Sequence, residues 1–213
     1  KETIGGMCLN WGCIPSKALI EVSGLKKSIE NAANMGLIVS DVQVDIQKMH
    51  SWKDGIIEKL RSGIDGLLDK NGVEVIKGTA TFSEPGRLFV DTREGLRRYE
   101  YKNVIIATGS RPIQLPQIPV DGKSVINVAK ALSLPDVPER FLIIGAGSVG
   151  IELGTVYAKL GSAVTIIEAQ EKLLPQFEPE ISRILQKNLK KNNIDLKLGT
   201  TVKELRHGEK GIL

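Results

Sequence analysis

The sequence predicts an α/β protein in two parts: helices with an antiparallel meander first, then a parallel strand–helix–strand unit. Three observations carry this. Between Asp45 and Lys70, apolar residues recur in steps of three and four (Ile46, Met49, Trp52, Ile56, Leu60, Ile64, Leu67), the period of an amphipathic helix. From Val73 to Tyr101 the chain breaks into short β-prone runs separated by the turn sequences Glu84-Pro85-Gly86 and Arg93-Glu94-Gly95. From Phe141 an apolar run meets a glycine-rich turn, a helical run and a second apolar run.

In chain order, Ile14 to about Ala33 reads as a helix and Met35 to Val39 as a short extended break. The long helix follows, its Met and Trp stripe expected in the core, and Gly72 after Asn71 is its stop. Strands are expected at Val73–Lys77, Thr79–Phe82, Arg87–Asp91 and Leu96–Tyr101, with Asn103–Ser110 as a buried strand. Pro112, Pro116 and Pro119 mark a linker, and a short helical patch is expected near Ala129–Leu134. The remaining elements are a strand at Phe141–Ile144, a helix at Val149–Leu160, a strand at Ala163–Glu168, a helix at Glu178–Asn192 and a strand at Ile194–Leu198. The domains are expected at 1–110, 111–140 (linker) and 141–213.

Composition narrows the function. With 213 residues, 41% hydrophobic and 25% charged, the chain is neither disordered nor a disulfide scaffold. No apolar run approaches the ~20 residues of a membrane span, so no membrane partner is expected. Nothing near Lys1 reads as a signal or transit peptide. The net charge of +4 is spread over short pairs such as Lys26-Lys27 and Arg97-Arg98, which suits a solvated surface better than nucleic acid.

Cys8 and Cys13 are the only cysteines, and the two histidines, His50 and His207, lie far from them in sequence, so a metal site is not expected. With Gly12 between them, the sulfurs can meet if the segment coils. A bridge closing so small a loop removes little chain entropy, which favours a redox over a structural purpose. Pro15 suits a first helical turn, placing Cys13 at a helix N-terminus where a thiolate is favoured, with Lys17 one turn along. The competing reading is two inert buried cysteines beside a solvated lysine.

The turn Gly145-Ala146-Gly147-Ser148-Val149-Gly150 has a strand before it, a helix after it, and Glu168 ending the second strand. That context makes G-x-G-x-x-G a dinucleotide-binding signal: Gly145 for the turn, Gly147 for pyrophosphate approach, Gly150 for helix–strand packing. Glu168 suits ribose hydroxyls and would repel a 2′-phosphate, favouring NAD over NADP.

The segment Gly5-Gly6-Met7-Cys8-Leu9-Asn10-Trp11-Gly12-Cys13-Ile14-Pro15-Ser16-Lys17 resembles the redox-disulfide signature of the flavin-dependent pyridine nucleotide–disulfide oxidoreductases. Its Leu-Asn and Ile-Pro-Ser-Lys details are most similar to the dihydrolipoamide dehydrogenase branch; Met7 and Trp11 depart from the common pattern without touching a sulfur. The resemblance implies a remnant of an FAD-binding Rossmann-like domain, helices plus β-meander, followed by part of a Rossmann NAD-binding domain. It implies FAD and NAD as cofactors, and Cys8, Cys13, Lys17 and Glu152 as catalytic, with Lys17 paired to Glu152 near the nicotinamide. Cofactor contacts are implied at Lys17, Ala80, Ala107, Thr108, Gly109, Ser110, Gly145, Ala146, Gly147, Ser148, Val149, Gly150, Glu152, Glu168 and Val202.

The resemblance also implies a homodimer, lipoyl domains of 2-oxo acid dehydrogenase complexes as partners, and a reducing compartment: cytoplasm, or mitochondrial matrix in a eukaryote. The matching stretch is a central piece of the family's chain, lacking the first FAD-binding turn and the later dimerisation domain, and is expected to be inactive alone. That later domain supplies a histidine–glutamate pair, a motif that neither His50 nor His207 matches. Rivals are another flavin disulfide reductase, of the glutathione, mercuric or coenzyme A disulfide type, and a non-catalytic NAD-binding fragment.

Overall fold

The computed structural model describes residues 3–208 and 211–212; Lys1 and Leu213, the ends of the expected domains, and the side chain of His207 lie outside it. Chain order is α1 (Gly6–Trp11), α2 (Cys13–Asn31), a 3₁₀ turn (Ala32–Met35), α3 (Ile46–Lys70), β1 (Thr79–Glu84), β2 (Arg87–Thr92) and β3 (Gly95–Glu100). Then come α4 (Val128–Ala131), β4 (Arg140–Ile144), α5 (Ser148–Leu160), β5 (Ala163–Ile167), α6 (Pro179–Lys191), β6 (Asp195–Lys197), and the two-residue strands β7 (His207–Gly208) and β8 (Gly211–Ile212). The class is α/β.

The second part is a parallel sheet in the order β4-β5-β6, with Leu142 opposite Thr165 and Thr165 opposite Asp195. Its crossover helix α5 lies tight on the strands because Gly150 and Gly154 have no side chain. A Cβ on Gly154 would stand 2.9 Å from Ile166 Cδ1. Ile166, Val164, Val156, Leu173 and Leu189 form the centre of the core, which continues through Leu19 of α2 and Leu132 beside α4. Helix α2 packs against α5, so the first part of the chain is seated on the second. Tyr157 of α5 donates to the Ala131 carbonyl at 2.5 Å, and burial pushes its phenol up to about 12.

The first part departs from expectation in three places. Val73–Lys77 and Asn103–Ser110 form no strands, and Ile105 is 90% exposed rather than buried. An apolar run becomes a strand only when a neighbour completes its hydrogen bonds, and neither run has one among the described residues. The meander β1-β2-β3 does form, with both expected turns. In α3 only part of the expected Met and Trp stripe is buried: Met49 and Ile57 point inward together with Lys53, while Trp52, Leu60 and Leu67 are exposed. Helix α3 meets α1 and α2, and its buried face carries a lysine. Met35 closes a 3₁₀ turn and Gly36 adopts φ 85°, so the expected extended break begins only at Leu37.

Candidate active site

The redox loop is built by glycines. Gly5 and Gly6 sit at φ 100° and 69°, conformations that favour glycine, and turn the chain into α1. Gly12 separates α1 from α2; a Cβ there would lie 3.2 Å from the Met7 carbonyl oxygen and 3.3 Å from Cys8 Cα. That close approach brings the cysteine Cα atoms to 4.7 Å, and Cys8 and Cys13 are joined as a disulfide. Cys13 opens α2, whose first turn has no side-chain cap, so a negative charge that develops on Cys13 Sγ lies at the positive end of the helix dipole. Both cysteines are exposed, so the reading of an inert buried pair does not hold.

Lys17, one turn along α2, meets Glu152 of α5: Nζ to Oε1 is 2.5 Å. The other carboxylate oxygen accepts from Ser16 Oγ at 2.8 Å, a buried hydroxyl. With the lysine side chain 58% exposed, such a pair contributes only about 0–1 kcal/mol. Its consequence is geometric: it ties the helix that starts at Cys13 to the helix that starts at the glycine turn.

At that turn Gly145 adopts φ 105° and donates to the Ile167 carbonyl at 2.8 Å. A Cβ on Gly150 would fall 2.1 Å from the Gly145 carbonyl oxygen. Gly147 caps α5 with no side-chain bond, and a Cβ there meets nothing within 4 Å. The cradle is therefore open where a pyrophosphate would sit, with uncapped amides facing it. Ser148 and Val149 are exposed at its mouth, and Ala146 is buried beneath. Glu168 accepts from the Ala146 amide at 2.8 Å and the Gln170 amide at 2.9 Å, which holds the carboxylate at the end of β5 with lone pairs to spare.

Of the remaining expected residues, Ser110 reaches the redox loop: its hydroxyl lies 3.2 Å from Met7 Sδ. Ala107, Thr108 and Gly109 run up to it as exposed, irregular backbone. Ala80 lies on the exposed β1, opposite Val90, and Val202 lies half-buried between β6 and β7; no bond ties either to the cysteines or to the glycine turn. Asn10 and Lys53, both buried, are not singled out by the sequence. Asn10, inside the loop, donates to the Ile4 and Gly6 carbonyls at 3.0 and 2.8 Å and accepts from Arg61 at 2.6 Å. Lys53 of α3 reaches Ser133 at 3.0 Å. A polar residue at a helix-buried position is a weak signal in one sequence, although Asn10 within a cysteine loop is a visible one.

Known proteins agree with this arrangement. The family model for pyridine nucleotide-disulphide oxidoreductases matches residues 2–212. The dihydrolipoyl dehydrogenase of Geobacillus stearothermophilus is 39% identical over 212 residues, which is 100% of this chain and 45% of that protein. The Bacillus subtilis enzyme of the same name is 38% identical with the same coverage. The chain thus spans under half the length of the curated relatives it matches. LpdA from Mycobacterium tuberculosis shares the fold at a TM-score of 0.87 and 24% identity, over 99% of this chain and 47% of that one. The HOCl-induced flavoprotein disulfide reductase RclA from Escherichia coli superposes at 0.80 with 25% identity, over 100% of this chain and 45% of that one. A cysteine bridge between α1 and α2, tied by a lysine–glutamate contact to the helix that follows a nucleotide-type turn, lies in a chain matched along nearly its whole length: the chain belongs to the pyridine nucleotide-disulphide oxidoreductase family.

Proposed function

We propose that this chain carries the disulfide and pyridine-nucleotide centres of a dihydrolipoamide dehydrogenase. The observation that carries the reading is the Cys8–Cys13 bridge at the start of α2, with Lys17 bonded to Glu152 on the nucleotide helix. The relatives' names point to the same substrate.

A dihydrolipoamide thiolate attacks Cys8 Sγ, the Cys8–Cys13 bond breaks, and Cys13 leaves as a thiolate at the positive end of the α2 dipole. The second substrate thiolate then attacks the substrate sulfur of the mixed disulfide, closing lipoamide and releasing Cys8. The pair has gained two electrons, and the substrate has given up two protons. When bound, FAD and NAD⁺ would supply the relay that carries this electron pair away as a hydride equivalent on the nicotinamide. Lys17 places a positive charge beside Cys13, and Ser16 with Glu152 holds that lysine in place.

The residues present fit these groups. The open cradle from Gly145 to Gly150, including Ala146, Ser148 and Val149, receives a pyrophosphate, Glu168 the adenosine ribose, and Val202 offers its backbone to NAD. Toward FAD the chain offers Lys17, Ala80 and the exposed, irregular segment Ala107, Thr108, Gly109 and Ser110. The domain limits 1–110, 111–140 and 141–213 follow this division of labour. The whole protein would work as a homodimer on lipoyl domains, in the cytoplasm or mitochondrial matrix. Among the described residues no helix is long and apolar enough to cross a membrane.

We further propose that these 213 residues alone turn over no lipoamide and hold no flavin tightly. A yellow protein that reduces lipoamide with NADH would overturn that. The redox assignment is tested without turnover: excess dihydrolipoamide should expose two alkylatable thiols in the chain, read by intact mass. A bridge that stays closed sinks the assignment.

A further inference from the structure

We propose that Asn10 and Arg61 are positioning residues of the redox pair, a strut from α3 that holds the two sulfurs together after the bridge opens. The inference rests on the redox reading of Cys8 and Cys13 above and concerns how strongly the pair favours its oxidised form.

Asn10 lies between the two cysteines and is 7% exposed. Its amide nitrogen donates to the Ile4 and Gly6 carbonyls, tying α1 to the segment that enters it. Its carbonyl oxygen accepts from Arg61 at 2.6 Å, across 51 residues of sequence. Arg61 is held in turn by Glu58 at 2.9 Å, while its buried Nε has no partner. Burying a guanidinium nitrogen unpaired is unfavourable, so the arginine sits there at a cost that its bond to Asn10 must offset. Leu9 packs the loop on its other side, but toward α3 packing is loose. Asn10, Trp11 and Arg61 line a cavity of about 550 Å³ between α1, α3 and the end of α4, so the loop has room to move on that side. All three bonds of Asn10 join it to atoms other than the sulfurs, and each survives when the disulfide opens. The reduced loop is therefore kept in the conformation that apposes Cys8 and Cys13, which raises the effective concentration of one thiol at the other.

The test is a redox equilibrium of the purified protein with glutathione. Two glutathione thiols become one glutathione disulfide, and the pair gains two electrons and two protons as two cysteine thiols; alkylation and intact mass count the thiols at each ratio. Asn10→Leu and Arg61→Met should each lower the equilibrium constant for closing the bridge about tenfold, the worth of one charge-assisted hydrogen bond. The double variant should be no worse than Asn10→Leu, because both act through one contact. Asn10→Asp keeps the acceptor for Arg61 and should recover part of the loss. Arg61→Met, at a partly exposed position, secures the test should the Asn10 variants fold poorly, with helix content checked by circular dichroism. A wild-type pair that equilibrates normally while Arg61→Met stays within twofold of it overturns the strut. A wild-type pair that no thiol opens overturns the redox reading on which it rests, an outcome distinguishable from the first.

Discussion

The unit from β4 to β6 and the runs at 73–77 and 103–110 are both rich in β-branched residues, and they end in opposite states. Ile166 is fully buried between α5 and the neighbouring strands, whereas Ile105 is 90% exposed on irregular backbone. The difference lies in partners. β5 has β4 on one side and β6 on the other, and α5 covers it. The runs at 73–77 and 103–110 have no strand beside them among the described residues. Apolar composition is thus a demand for a partner, and stability comes only where the chain itself meets that demand. The cysteine pair sits where the two regimes join, its helix seated on the self-sufficient unit and its loop facing the other.

The largest effect should fall on chemistry. Cys8→Ser or Cys13→Ser should abolish electron exchange with dihydrolipoamide while leaving NADH affinity unchanged, because the glycine turn folds without the bridge. Titration of NADH by fluorescence, beside thiol counting, checks both halves. A joint loss would show that the two regions are not separable.

Next comes stability. Ile166→Ala empties a filled site and should cost about 2–5 kcal/mol, while Ile105→Ala should stay within about 0.5 kcal/mol. Urea denaturation of the two variants measures the comparison directly. Equal costs would mean that 103–110 is packed in solution.

A smaller effect is expected at the nucleotide end. Glu168→Ala removes a candidate ribose acceptor and the partner of two backbone amides, and should weaken NADH binding about tenfold without altering how the cysteines respond to dihydrolipoamide. Unchanged affinity, by calorimetry, would remove Glu168 from the site.

What sequence could reveal follows the same division. The glycine turn, Glu168 and the cysteine loop are local signals, each readable within a short stretch of chain; the structure shows the cysteines bridged and Gly150 packed against the Gly145 carbonyl. The contacts that organise the site are not local: Ser16 meets Glu152 across 136 residues and Asn10 meets Arg61 across 51. The Lys17–Glu152 pair was anticipated through family resemblance, since no spacing rule reaches that far. In α3 periodicity identifies the apolar stripe but not how much of it a neighbour covers: Met49 and Ile57 are buried with Lys53 between them, whereas Trp52 of the same stripe is exposed.

The last contrast concerns what holds α3, whose exposed Trp52, Leu60 and Leu67 leave it more dependent on local terms than α5. Its N-terminus is capped by Asp45, whose carboxylate accepts from the Lys48 amide at 2.9 Å. That backbone bond, opposed by slight desolvation and aided by the Lys48 charge, holds the Asp45 carboxyl below its ordinary value. A folded-state value lower than the unfolded one means the contribution is complete above the ordinary aspartate range. It fades as pH falls through the lowered folded value. Asp45→Ala should therefore reduce the melting temperature slightly at neutral pH, and the gap to the wild type should close under strongly acidic conditions. Asp45→Asn retains an acceptor without the titration and should melt with a flatter pH profile. A gap between the alanine variant and the wild type that persists undiminished in acid would show that α3 is held at Asp45 by something other than its carboxylate.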